Sequence, residues 1–277
     1  MKVVKGLLLV IVLVLGILFG AYLYNGGRLD FLRDQPARVS VPIEKPAENA
    51  ASLPQPMPPR YVVEPPKKEA STEIPVEPEQ PLPTILDEAD DYLKLRLPEL
   101  VEDERLLLLL SFEHFIQKVV LLVDQLPQKS INRRHLPLSP PTGSFKVSGK
   151  DTPVISASNA SRYTIYVRLS EAIPNKDLLY LYRGLYPLFQ KAYQELGNPE
   201  RYFNDRLIEV IDHLLETPEP KEPIALVPHV QRYKYADEKL EALSAGQKIL
   251  IRMGSDNARR IKSRLQEFRD GLLSQAE

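Results

Sequence analysis

The chain has 277 residues with 36 Lys/Arg against 37 Asp/Glu, a formal charge of −1, and no cysteine. A balance this even argues against nucleic acid as a partner, and the lack of cysteine removes disulfides, thiolate zinc sites and a Cys nucleophile. Thirteen of the 26 prolines fall between Pro36 and Pro83, so the composition already divides the chain into unlike parts.

Lys2 and Lys5 precede an uncharged run, Gly6–Leu23, rich in Leu, Val, Ile and Gly. Eighteen such residues rise about 27 Å as a helix, close to one hydrocarbon core. The run is longer than a signal-peptide core, and Phe19 stands where cleavage after Ala21 needs a small residue. We therefore expect a cytoplasmic tail over 1–5, a transmembrane anchor over 6–24 and a lipid bilayer as one partner. The localisation expected is a bacterial inner membrane, single-pass, with the carboxyl-terminal part in the periplasm. Lys and Arg are nearly balanced across the run, so the positive-inside rule alone does not set this orientation.

Residues 25–83 read as a disordered Pro-rich linker. Large apolar residues are sparse there, so no core can offset the entropy of ordering the chain. Forty-eight residues from Pro36 to Pro83 give a limiting reach of about 150 Å at ~3.1 Å each.

From Thr84 onward the periodicity is mostly helical, and 84–277 is predicted as an all-α domain, an irregular multi-helix bundle. A first acidic helix is predicted from a Thr84 cap through Leu97, and a strongly apolar one over about Asp103–Leu126. Glu113, His114, Gln117 and Lys118 stripe the latter, which argues for a buried helix rather than a second membrane span. Ser130–Pro153, with three prolines before Pro153 and two glycines, reads as a long irregular excursion. Helical pattern resumes over Asn159–Ile173, then Asn175–Leu196 with Pro187 inside. The next helix runs from an Asn198 cap and Pro199 to about Leu215. A short extended piece over Val230–Tyr235 precedes helices over Asp237–Met253 and Asp256–Leu273.

Asp205, Glu209 and His213 fall at i, i+4 and i+8, which stacks two carboxylates and an imidazole on one helix face. Metal and acid–base sites use such spacing, but so does a hydrogen-bonded polar stripe, with Asp212 and Arg206 as ordinary partners. Nine of the 13 tyrosines lie between Tyr163 and Tyr235, interleaved with arginines. Tyr163, Tyr166, Arg168, Tyr182, Arg183, Tyr186 and Tyr202, with Asp205, Arg206, Glu209 and His213, make up a candidate binding groove, because aromatic faces and Arg forks suit recognition. The alternative for the tyrosines is packing in the core. His135 follows Arg133-Arg134 in a small basic patch. Charge is also segregated, with eight acids over Asp87–Glu104 and seven Lys/Arg over Ser244–Glu277, and these ends are expected to dock within the fold. No phosphate loop, nucleophile elbow or zinc signature occurs, so no cofactor, metal or catalytic residue is expected.

Three strings carry a resemblance: Leu185-Tyr-Pro-Leu-Phe-Gln-Lys-Ala-Tyr-Gln-Glu-Leu-Gly197, Tyr202-Phe-Asn-Asp-Arg-Leu-Ile-Glu-Val-Ile-Asp-His-Leu-Leu215 and Leu240-Glu-Ala-Leu-Ser-Ala-Gly-Gln-Lys-Ile-Leu-Ile-Arg-Met-Gly254. In these the chain resembles an uncharacterised family of Gram-negative bacterial, membrane-anchored proteins catalogued as a domain of unknown function, from about Leu86 to the end. The resemblance implies an inner-membrane address and supplies no reaction. The expectation is a non-enzymatic interaction module that binds a protein or cell-wall component of the envelope. An envelope hydrolase using Asp205, Glu209 and His213, and a self-associating scaffold, are the alternatives.

Overall fold

The computed structural model describes residues 58–66, 81–132, 134–230 and 232–274. The predicted tail, the anchor Gly6–Leu23, most of the predicted linker and Arg133 lie outside the described residues. Among the described residues no helix is long and apolar enough to cross a membrane.

Helices dominate: α1 (Leu86–Arg96), α2 (Phe115–Gln125), α3 (Thr164–Glu171), α4 (Asn175–Glu195), α5 (Phe203–Leu215), the short α6 (Glu238–Glu241), α7 (Ala245–Arg252) and α8 (Ser255–Leu273). At the centre lies α2, whose Phe115, Ile116, Val119 and Val123 are fully buried. It packs on α1, α4 and α5, while α8 packs on α3, α4, α5 and α7. Apolar residues recurring at helical spacing give each of these helices one buried face, and the faces merge into a single core.

The all-α expectation needs one correction. Two antiparallel strand pairs are present, β1 (Val147–Ser148) with β2 (Val154–Ile155) and β3 (Leu226–His229) with β4 (Arg232–Tyr235). A bridge between Val154 and Ala225 joins them. Ile224, Leu226 and Tyr235 of this patch bury against Leu240 and Ile251, with Phe145, Val147 and Ile155 packed alongside. This satellite cluster organises part of the predicted excursion over 130–153. Side chains of the 3-10 turn Ala157–Arg162 hold the rest, with Asn159 bonding both the N–H and the carbonyl of Lys146 at 2.9 and 2.7 Å.

The single helix predicted over Asp103–Leu126 is broken. Glu104–Leu109 is a 3-10 helix, and His114 takes a left-handed φ of 50° before α2 begins. The break has a tertiary cause. Ser111 N–H donates to the Pro137 carbonyl at 2.8 Å and Ser139 N–H to the Leu109 carbonyl at 2.7 Å. Backbone groups committed across to the excursion cannot also serve an α-helix.

The helix predicted from Asn198 also starts late. Asn198–Arg201 forms a turn and α5 begins at Phe203, whose N–H donates to Gln190 Oε1 of α4 at 2.8 Å. The oppositely charged ends do not dock on each other. Among the described residues Arg260, Arg269, Lys262 and Lys248 pair with Glu171, Asp212, Glu219 and Glu241, while Asp91, Glu99 and Asp103 pair with basic neighbours in sequence.

Candidate functional site

Pro58–Pro66, which the sequence assigns to the disordered linker, is seated on the helical body. Its residues alternate: Arg60, Val62 and Glu64 are exposed, and Tyr61 and Val63 are partly buried against the main core. The backbone bends at Arg60 and Tyr61, and the alternation follows from how that bend lies on the surface. Tyr61 is the one aromatic residue between Pro36 and Pro83, and it provides the apolar area that the rest of the linker lacks.

Three residues from the first two turns of α5 hold this strap. Asp205 accepts the N–H of Arg60 on Oδ2 and the N–H of Tyr61 on Oδ1, both at 3.0 Å. Asn204 Nδ2 donates to the Tyr61 carbonyl at 3.0 Å. The Arg60 guanidinium forms an ion pair with Glu209, one turn further on, and its Nε lies 3.8 Å from Asp205. Charge on a carboxylate strengthens each bond it accepts, and Asp205 is only 15% exposed, which limits screening by water. The Arg60 pKa is raised, first by its hydrogen bond to Glu209.

The positions of these residues follow from the packing behind them. Asn204 is buried, and its Oδ1 accepts the Tyr182 hydroxyl at 2.9 Å, which fixes the amide so that Nδ2 faces the strap. Tyr182 in turn packs against Tyr186, Phe189 and Phe268 with ring centroids 5.6–5.8 Å apart. Tyr186 is partly buried, its hydroxyl donates to Gln190 at 3.1 Å, and burial pushes its pKa up to about 12. Arg183 donates to the Gly271 carbonyl of α8 at 2.8 Å; burial lowers its pKa, and the strap's Glu64 opposes that shift.

The predicted groove therefore separates into two groups. Tyr182, Arg183, Tyr186, Asp205 and Glu209 come together around or directly behind the strap, with Arg206 beside them. Arg206 bonds Asp124 Oδ1 at 3.0 Å and the Asp124 carbonyl at 2.9 Å, which ties α5 to the last turn of α2. Tyr202 lies at the start of α5, partly exposed. Tyr163 and Tyr166 are core residues, 0% and 1% exposed, and line no groove. Burial raises both pKa values, Tyr163 to about 12, and Tyr166 donates to the Ser139 carbonyl at 2.9 Å. A phenol packs well at a helix crossing, and in this region core packing claims more tyrosines than recognition does. Arg168 is exposed on α3.

His213 shares the α5 stripe but has a different neighbour. Its Nε2 lies 2.9 Å from Ser244 Oγ, the residue that caps α7 in a capping box with Gln247. Burial lowers its pKa, with Arg206 reinforcing and Glu216 opposing. Asp205, Glu209 and His213 thus share a face without sharing a ligand. Among the described residues no group of three His, Asp or Glu side chains is placed to hold a metal ion. Sequence reasoning missed Arg60, Tyr61 and Asn204; the Arg60-Tyr61-Val62-Val63 run inside a proline-rich segment was the available signal.

A second concavity of about 330 Å³ brings His114 and His135 together with Lys118 and Glu195 between α2 and α4. A smaller one of about 30 Å³ lies between Thr217–Glu222 and the facing side of α8. Asp205, Glu209 and His213 line neither.

The family described as "Protein of unknown function (DUF3014)" matches residues 115–269, more than half of the chain, from the start of α2 to within α8. No curated protein and no solved structure matches the chain.

Proposed function

We propose, for a chain that belongs to the DUF3014 family, the role of a membrane-tethered, non-enzymatic interaction module. In this reading Gly6–Leu23 anchors it in the inner membrane of a Gram-negative cell, and the helical body faces the periplasm and binds a protein of the envelope. The observation that carries the reading is the engagement of Asn204, Asp205 and Glu209 with the bent segment at Arg60 and Tyr61. Side chains that satisfy both the N–H and the carbonyl of one ligand residue belong to peptide recognition, in which backbone bonds give affinity and neighbouring contacts give specificity. The uncharged run and the linker supply the tether.

Hydrolysis through Asp205, Glu209 and His213 has less support, since each of the three already has a structural partner. Self-association remains a separate reading, tested by sedimentation of the full chain in detergent. The main proposal is tested by crosslinking in intact envelopes, comparing the full chain with one cut after the linker. Proteins recovered only when residues 84–277 are present are the expected result. Equal recovery from both chains would defeat it.

A further inference from the structure

The same α5 stripe supports a more specific statement, which rests on the interaction-module reading. We propose that Asn204, Asp205 and Glu209 form a site for peptides that bend at a basic residue followed by an aromatic one, and that Arg60–Val63 occupies it in cis as a resident ligand. The natural occupant is then a segment of a partner protein with the same chemistry: a cation, an aromatic ring, and a β-branched residue two positions after the ring.

Each part of that pattern has a physical origin. Asp205 takes two consecutive backbone N–H groups and Asn204 takes the carbonyl of the second residue, so the site reads a bent backbone, in which neighbouring N–H groups face one carboxylate. Specificity comes from the ends. Glu209 faces the Arg60 guanidinium, and the surface beside α5 accepts alternate residues, Tyr61 and Val63, while Val62 points to water at 59% exposure. The receptor atoms are pre-positioned, because Asn204 is buried and locked by Tyr182. A residue fixed from behind loses little entropy when a ligand arrives.

The strap has the character of an exchangeable ligand. Arg60 is 62% exposed and Glu209 46% exposed, so the specificity contact lies at the rim, where an incoming peptide can compete. Only 67–80 separate the strap from the body, and a short tether gives an effective concentration in the ~mM range. A free partner segment at lower concentration therefore binds only when it matches the site better than the strap does, or is itself presented at high local density.

The experiment uses the full chain in detergent and a fluorescent peptide of residues 57–66. Three chains are compared: wild type, Arg60→Glu, and Arg60→Glu with Glu209→Lys. Amide hydrogen exchange at residues 60–63 reports whether the strap is released. In the Arg60→Glu chain the strap faces Glu209 with like charge, so exchange at 60–63 should rise. The peptide should then bind about tenfold tighter than to wild type, the size expected when an ion pair becomes a like-charge contact. In the double variant the strap's introduced carboxylate faces the introduced ammonium on α5, so exchange at 60–63 should return toward wild type. The peptide, whose Arg60 then meets that ammonium, should bind no tighter than to wild type. Unchanged exchange in Arg60→Glu would overturn the resident-ligand assignment. Released strap without gain in peptide binding would overturn the recognition site. Wild-type chains that sediment as dimers and dissociate on adding peptide would make the occupant a second copy, and the partner assignment falls. Crosslinking in envelopes can fail without changing any of these results, so failure of the site and failure of the broader role are told apart.

Discussion

Asp205, Glu209 and His213 are spaced for chemistry in the sequence, and their folded neighbours decide otherwise. Residue type and spacing place three polar groups on one face of α5, yet the first two meet Arg60 and Tyr61 and the third meets Ser244. For His213 this has a measurable consequence. In the neutral ring Nε2 can accept the Ser244 hydroxyl proton while Ser244 Oγ accepts the Gln247 N–H at 3.2 Å. Burial holds the folded pKa below the usual histidine value of about 6.5. Between the two values the unfolded chain binds more protons, so stability rises with pH across that window and is lost as pH falls below about 6.5. We expect the denaturant midpoint to drop between pH 7.5 and 5.5, and His213→Gln, which keeps a polar acceptor, to remove part of that drop. Equal pH dependence in both chains would assign the effect to other groups.

Ser244 and Asp237 cap α7 and α6 with their own side chains, but several other helix ends are finished by distant elements. The Asp90 carboxylate of α1 accepts the N–H groups of His114 and Phe115 at 2.6 and 2.9 Å and so caps α2 from outside. Gln190 does the same for α5. The first N–H groups of α7, from Ala245 and Gly246, donate to the Gln128 and Leu126 carbonyls at the end of α2, at 2.7 and 3.0 Å. Arg264 of α8 binds the Ser170 carbonyl in the last turn of α3 and the Ile173 carbonyl just after it, at 3.2 and 2.8 Å, where a cation complements the helix dipole. Loss of a cap costs about 0.5–2 kcal/mol, so Asp90→Ala should lower the unfolding free energy by about 1–2 kcal/mol in a denaturant titration. The α2–α7 junction is also tight. A side chain at Gly246 would come within 2.7 Å of Leu214 Cδ2 and 3.1 Å of the Leu126 carbonyl. Gly246→Val should therefore destabilise by about 1–3 kcal/mol despite replacing a helical glycine. A melting temperature equal to wild type would show that α7 can slide.

Over the whole molecule, strap docking is a near-balance of opposing terms. Ordering the five residues Arg60–Glu64, whose flanking prolines are already restricted in φ, costs about 5–10 kcal/mol of backbone entropy. Two bonds to a carboxylate contribute about 3–6 kcal/mol and one neutral bond about 1. Partial burial of Tyr61 and Val63 adds about 2–4. These terms cancel to within a few kcal/mol, so the docked strap is open to exchange. Asp205→Ala should thus speed tryptic cleavage after Arg60, read by mass spectrometry, while changing global stability by about 1 kcal/mol or less. Equal cleavage rates would mean that Asp205 does not hold the segment. Docking also bears on the proposed tether: 24 residues, Pro36–Pro59, precede the first bonded residue Arg60, where 48 precede Thr84, a limiting reach of about 75 Å rather than about 150 Å.

The sequence alone determined the helical class, the positions of α4 and α8 and the end of α5, because 3.6-residue periodicity survives translation into buried faces. It also marked α2 as central through its apolar density. The breaks in 103–126 and before Phe203 were not legible, since their causes are Pro137, Ser139 and Gln190, partners distant in sequence. The tyrosines could not be sorted from composition, because the same phenol fills the core at Tyr163 and Tyr166 and, equally buried at Tyr182, also holds Asn204 behind the strap. Most of all, the strap was decided by tertiary structure. Nothing in Arg60-Tyr61-Val62-Val63 folds locally, and its bend is held where α5 presents a buried amide, a shielded carboxylate and a rim carboxylate.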